Sequence, residues 1–153
     1  MELRIEEINE CTQPMIRQII QLMNELSTRC VCTEESLRAV VDDSCCHLFC
    51  AFDGEHVVGC ATLCVFHSPT GTKGSVEDVV VASDYRGCHL GRQLMAQLLQ
   101  TADNYAPIEL HLTSRPSRQA ANNLYTSLGF ERKETNCYQM EILLGERAKG
   151  LKG

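Results

Sequence analysis

Three things are scarce in this sequence. It has no tryptophan and only four phenylalanines and four tyrosines. It has 14 lysines and arginines against 20 aspartates and glutamates, a formal net charge of −6. Its longest apolar run, residues 57–66, is broken by Gly59 and Thr62, whereas a membrane-spanning helix needs about 20 apolar residues. The shortage of positive charge argues against general nucleic-acid or membrane-surface binding, although backbone N–H groups and one or two arginines can still hold an anion locally. The charged start, MELRIEEINE, lacks the apolar core of a secretory signal. A cytoplasmic protein is expected.

Also missing is zinc-type spacing. Ten cysteines are present, yet only Cys30-Val-Cys32 and Cys45-Cys46-His47 cluster, and neither is a repeated C-x2-C pair. No metal is expected, and a cytoplasmic setting disfavours stable disulfides. Cysteine reads here as a small core hydrophobe, most clearly at Cys50, Cys60 and Cys64. What is present is ample apolar material, 44% of 153 residues. That suits one globular domain over 1–153, with residues 145–153 as a frayed tail.

Periodicity orders the chain. Leu3, Ile5 and Ile8 suggest a short first strand. Thr12 and Pro14 open a helix whose apolar face is Ile16, Ile19, Ile20 and Met23. Thr33 caps a second helix bearing Leu37, Val40 and Val41, with Glu34 and Glu35 in its first turn. Strands are expected over 47–52 and 57–66, joined at Asp53-Gly54. Residues 67–75 (HSPTGTKGS) read as a mobile polar loop, and 76–82 as a valine-rich strand. A helix over 90–103 repeats Leu90, Leu94 and Leu98. A strand over 108–113, a helix over 117–128 closed by Gly129, and a last strand over 137–144 complete the order β-α-α-β-β-β-α-β-α-β. That is a mixed α/β fold, a central twisted mixed sheet flanked by helices, in which antiparallel hairpins feed one parallel βαβ step.

The stretch 76–99, VEDVVVASDYRGCHLGRQLMAQLL, runs from a strand through a short glycine-containing turn into a helix. Such a turn offers unpaired N–H groups at a helix start, where the dipole favours negative charge. Gly87 and Gly91 permit close approach, and Arg86 and Arg92 add charge. The pattern suits a pyrophosphate. No Lys-Ser/Thr follows Gly91, and no G-x-G-x-x-G is present, which argues against P-loop nucleotide hydrolysis and a dinucleotide fold.

Arg86-Gly87-Cys88-His89-Leu90-Gly91 after Glu77-Asp78-Val79-Val80-Val81 resembles the cofactor motif of the GNAT superfamily of acetyl-CoA-dependent N-acetyltransferases. His89 stands where that family usually has glycine. Leu124-Tyr125-Thr126-Ser127-Leu128-Gly129-Phe130 resembles its L-Y-x-x-x-G-F ending. The EDVVV run is similar to the glucosamine-phosphate acetyltransferase branch, and LTSRPSRQAANN to bacterial members of unassigned substrate. The resemblance implies a GNAT-type fold and acetyl-CoA as co-substrate. It implies cofactor contacts from Val79, Val81, Arg86, Gly87, Cys88, His89, Leu90, Gly91, Arg92 and Asn122. It gives a backbone N–H near Val79 as oxyanion donor, Glu77 as general base with Asp78 the alternate, and Tyr125 as general acid.

The implied reaction is acetyl transfer to a primary amine of a small molecule by direct attack in a ternary complex. Amino-sugar phosphates and peptide N-termini compete as acceptors. A homodimer is compatible with the family pattern. A non-catalytic acetyl-CoA sensor of the same fold is the alternative, and retention of both Glu77 and Tyr125 argues against it.

Overall fold

Thr12 is extended, and its hydroxyl accepts from the N–H of Met15 (3.4 Å), which starts helix α1, Gln13–Leu26. Thr33 and Ser36 form a reciprocal capping box at the start of α2, Glu34–Val41. The computed structural model describes residues 1–29 and 31–145. Its strands are β1 Leu3–Glu7, β2 Cys46–Asp53, β3 His56–Ser68, β4 Gly71–Val81 and β5 Ile108–His111. A 3-10 turn, Ser83–Tyr85, and helix α3, Leu90–Asp103, connect β4 to β5, and α4 spans Gln119–Ser127. The chain divides into two compact units, the first ending at Arg118 and the second beginning at Gln119.

In the first unit the sheet order is β1-β2-β3-β4-β5. The first four strands pair antiparallel, and β4–β5 is parallel. This is the mixed sheet the patterning predicts. One face carries Leu48, Cys50, Phe52, Cys60 and Val80 against Ile16, Ile19, Leu22 and Met23 of α1 and Leu37 of α2. Strand alternation sends Phe49, Ala61 and Leu63 to the other face. There α3 packs on β2 and β3 and buries Leu90, Leu94, Met95, Leu98 and Ala102. Gly59 permits this approach: a Cβ there would lie 3.0 Å from Leu94 Cδ1. Each leucine buried on this face contributes about 1.5–3 kcal/mol.

Two expected segments differ. Residues 67–75 are not a loop: β3 and β4 continue as a hairpin ribbon, pairing Phe66 with Lys73, His67 with Thr72 and Ser68 with Gly71. The polar composition misleads because an exposed ribbon is held by main-chain bonds, supported here by the Thr72 hydroxyl against His67 Nδ1 (3.2 Å). The last strand, 137–144, is not formed; Leu143 makes an isolated bridge only. Among the described residues the second unit has no strand to pair with it, and alternation alone cannot satisfy an extended backbone. Of the expected tail only Gly145 is among the described residues.

Candidate active site

β4 and β5 run together only from Thr72–Ile108 to Ser75–His111. Beyond Ser75, β4 continues to Val81. Among the described residues no strand pairs with that continuation on its β5 side. Along that length the β5 side of β4 is a gap in the strand pairing, edged by main-chain groups.

A bulge sits in this open stretch. Cys60 pairs with Val80 and Thr62 with Glu77, so Asp78 and Val79 together face Ala61. Asp78 adopts φ +52, the left-handed value that a bulge of this kind requires and that aspartate tolerates better than most residues. Past the bulge, the N–H of Ala82 donates to Val58 O (2.8 Å). Counting back by strand alternation, Val80 faces β3, while the N–H and C=O of Val81 and Val79 turn toward the gap. The Val81 carbonyl accepts from Arg86 Nε at 3.3 Å.

The carboxylate of Glu77 is exposed on β4 and accepts from the Ser75 hydroxyl (3.0 Å). Ser75 and Glu77 share a face, two residues apart. On β5, His111 is the direct partner of Ser75 and lies 2.6 Å from Glu109. Glu77, Ser75, His111 and Glu109 thus form a polar group where the two strands part.

The chain then turns into α3. Gly87 has φ +83 and His89 φ +62. His89 occupies the N-cap without a side-chain cap bond. The N–H of Gln93 bonds back to His89 O (3.1 Å), so the amides of Leu90 and Gly91 start the helix ahead of any intrahelical acceptor. They point out of the helix N-terminus, whose dipole favours an anion. Arg86, Gly87, His89 and Arg92 are exposed, and Cys88 and Gly91 half-buried. Leu90 is buried in the core, which leaves only its backbone for the site.

A tether holds this turn. Tyr85 OH donates to Asp53 Oδ2 (2.6 Å), and the Glu2 N–H donates to Asp53 Oδ1 (2.9 Å). The Tyr85 bond, then the Glu2 bond, hold the Asp53 carboxyl below its ordinary range. The same bond from the other side raises the Tyr85 hydroxyl. Sequence reading missed this pair because its members lie 32 residues apart. It also missed the Asp78 bulge, whose only local sign is an aspartate inside a valine run.

In the second unit, Tyr125 is buried and Asn122 half-buried on α4. The end of α4 explains the L-Y-x-x-x-G-F spacing. Gly129, at φ +101, takes the left-handed position after the helix. The Gly129 N–H donates to Thr126 O (3.1 Å) and the Phe130 N–H to Tyr125 O (3.0 Å). These are the two bonds of a Schellman ending, and its usual apolar contact is Phe130 edge-on to Tyr125, centroids 6.1 Å apart. Glu77 and the residues 79–92 therefore belong to the first unit, and Asn122 and Tyr125 to the second.

Among the described residues no group of three or more His, Cys, Asp or Glu side chains is arranged to hold a metal ion; Cys30 lies outside them. None of the described helices is long and apolar enough to cross a membrane.

No curated protein sequence matches this chain significantly. Among solved structures it is similar to a Trypanosoma brucei acetyltransferase (20% identity, TM-score 0.73, covering 90% of this chain and 99% of that one). It is similar to an aminoglycoside acetyltransferase from an uncultured soil metagenomic sample (19%, TM-score 0.75, 92% and 96%). It is similar too to glucosamine-6-phosphate N-acetyltransferase from Arabidopsis thaliana (16%, TM-score 0.72, 91% and 98%). At these identities the likeness establishes the fold. The model of the acetyltransferase (GNAT) family matches residues 14–130. With three-quarters of its length under that match, this chain belongs to the GNAT family of acetyltransferases.

Proposed function

We propose that this acetyltransferase moves an acetyl group from acetyl-CoA to a primary amine of a small molecule, by direct attack in a ternary complex. One observation carries the reading: the open edge of β4, beyond Ser75 and past the Asp78 bulge, leads directly into the amides at the start of α3. A slot edged by peptide groups and ending in an anion cradle suits a ligand with an amide-bearing arm and a diphosphate.

In this reading the N–H groups of residues 87–91, with Arg86 and Arg92, hold the diphosphate, and Gly87 and Gly91 keep side chains out of its way. Cys88, His89 and Leu90 take part through their backbones. The edge groups of Val79 and Val81 pair with the amides of the arm, as an added strand would. Bound there, acetyl-CoA supplies an activated thioester carbonyl.

An alkylammonium, with a pKa near ~10.4, must lose a proton before its nitrogen can attack. Glu77 takes that proton, and Ser75 keeps one of its carboxylate oxygens in place. The Val79 N–H stands as donor to negative charge developing on the acyl oxygen. As the new C–N bond forms and the C–S bond breaks, Tyr125 donates a proton to the departing thiolate. The parts given to Tyr125 and Asn122, the latter on the amide arm, rest on the L-Y-x-x-x-G-F resemblance alone.

The test is release of free CoA thiol from acetyl-CoA across a panel of primary amines: amino sugars and their phosphates, aminoglycosides, polyamines and peptide N-termini. Turnover with at least one amine is expected. Tight acetyl-CoA binding with no turnover on any of them would replace the enzyme by a sensor. Absence of binding would remove the cradle.

A further inference from the structure

Two pairs of cysteines face each other across β2 and β3: Cys46 with Cys64, and Cys50 with Cys60. Their sulfurs are 3.7 Å and 3.6 Å apart. The ladder fixes which kind of pair these are. The N–H of Val65 donates to Cys45 O (2.9 Å), so Cys45 and Val65 are a hydrogen-bonded pair. The next pair along, Cys46 and Cys64, is non-hydrogen-bonded, and so by alternation is Cys50 with Cys60. Non-hydrogen-bonded partners stand with Cα atoms about 4.5 Å apart, inside the range of about 4.4–6.8 Å that a disulfide bridges. Partners at that spacing are within reach of a covalent bond.

Access separates them. Cys50 and Cys60 are fully buried in the core beneath α1 and α2. Cys46 and Cys64 are half-buried near the end of the same ladder. An oxidant can reach the second pair only.

We propose that Cys46 and Cys64 form a thiol–disulfide exchange site that takes a low-molecular-weight disulfide, such as glutathione disulfide, and closes reversibly to a cross-strand bond. Cys46 attacks first. It is the less hindered of the two electrostatically: burial raises both thiols, but Cys64 is pushed up to about 12, with Cys46 and Glu77 among the causes, whereas the Cys64 thiol hydrogen-bonds to a Cys46 thiolate and favours it. The Cys46 thiolate attacks one sulfur of the small disulfide, and the first thiolate leaves. The Cys64 sulfur then attacks the Cys46 sulfur of the mixed disulfide and expels the second. Two protein thiols become one disulfide, one small disulfide becomes two thiols, and the two protons pass to the leaving groups. Exchange of this reversible kind is compatible with a reducing compartment.

The full-length chain, folded and reduced, is the material for the test. It is incubated with glutathione disulfide, remaining thiols are alkylated, and the chain is cut after glutamate. Cleavage after Glu35, Glu55 and Glu77 puts Cys45, Cys46 and Cys50 on one peptide and Cys60 and Cys64 on another, so fragmentation of the joined pair in the mass spectrometer locates the bonded cysteines. The expected product is Cys46 linked to Cys64, lost in Cys64→Ala and retained in Cys45→Ser and Cys50→Ala. The linking rate should rise about tenfold per pH unit near neutrality, because both thiols are mostly protonated there. The wild-type result decides the matter even if a variant does not fold. A bond through Cys45, a Cys50–Cys60 bond, or Cys46 and Cys64 still open to alkylation once Cys45 carries glutathione, would each overturn the proposal.

Discussion

The β2–β3 ladder and the far end of β4 are neighbours in one sheet, yet they are built on opposite terms. In the ladder, Leu48 to Phe52 and Val57 to Leu63 are buried almost without exception, and every strand has a partner on both sides. At the far end of β4 the side chains of Glu77 and Asp78 are exposed and one edge is open. Strain follows the same line. The only non-glycine residues with positive φ among the described residues are Asp78 and His89, the first in the open stretch of β4 and the second at the N-cap of α3. Packing determines the first region. The second gives up local preference to expose main-chain groups, a cost usually met at sites that bind or react.

Breaking the two regions separately should give different readouts. The largest effect is expected at Glu77. Glu77→Gln removes the proposed base and should lower kcat by roughly 10²–10⁴-fold. The thermal midpoint should stay where it is, because the side chain is exposed. If activity is unchanged, the proton is taken elsewhere, and Asp78 or His111 would be examined next. In the packed region, Leu94→Ala should cost about 2–5 kcal/mol in chemical denaturation, since Leu94 is fully buried on the face of α3 that packs against Gly59. A loss under about 1 kcal/mol would mean that α3 is seated by something other than its leucine stripe.

The packed region was the more legible in sequence, for a physical reason. Helix α3 runs over residues 90–103 as its four-residue leucine repeat predicts, since the period of burial is written in the chain itself. The close of α4 was equally plain, because Gly129 at a left-handed position is a local requirement. Long-range pairing was not. Residues 67–75 look like a loop by composition, and only their register shows a ribbon. Residues 137–144 alternate like a strand, but alternation does not supply a partner. At the site, the turn and helix start over 86–92 were readable, as glycines before an amphipathic helix mark such a place. The Asp78 bulge and the Asp53–Tyr85 tether depend on what lies across the sheet, and no local pattern announces them.

That tether joins the two regions, and pH can test it. Asp53 is held below the ordinary carboxylate range by Tyr85 first and Glu2 second. A lowered folded value means that its contribution is complete above the unfolded value of about 3.9 and fades as pH falls through the folded one. The stability difference between the native chain and Asp53→Asn should therefore be constant at neutral pH and close in acid. Urea denaturation across a pH series measures it. A gap that widens in acid would contradict the assignment.

The smallest effect expected is at His89, and its sign is informative. A non-glycine residue in the left-handed region costs roughly 1–2 kcal/mol, and His89 sits there at φ +62 with an exposed side chain. Glycine would remove that cost but lose about 0.5–1 kcal/mol through its freer unfolded chain. His89→Gly should thus stabilise the protein by at most about 1.5 kcal/mol, read from the denaturation midpoint. If only the backbone serves the cradle, acetyl-CoA affinity should not change. A clear loss of stability would show that the imidazole makes a contact that compensates its conformation. A loss of affinity at unchanged stability would move the side chain itself into the phosphate site, and explain why histidine stands where the turn geometry prefers glycine.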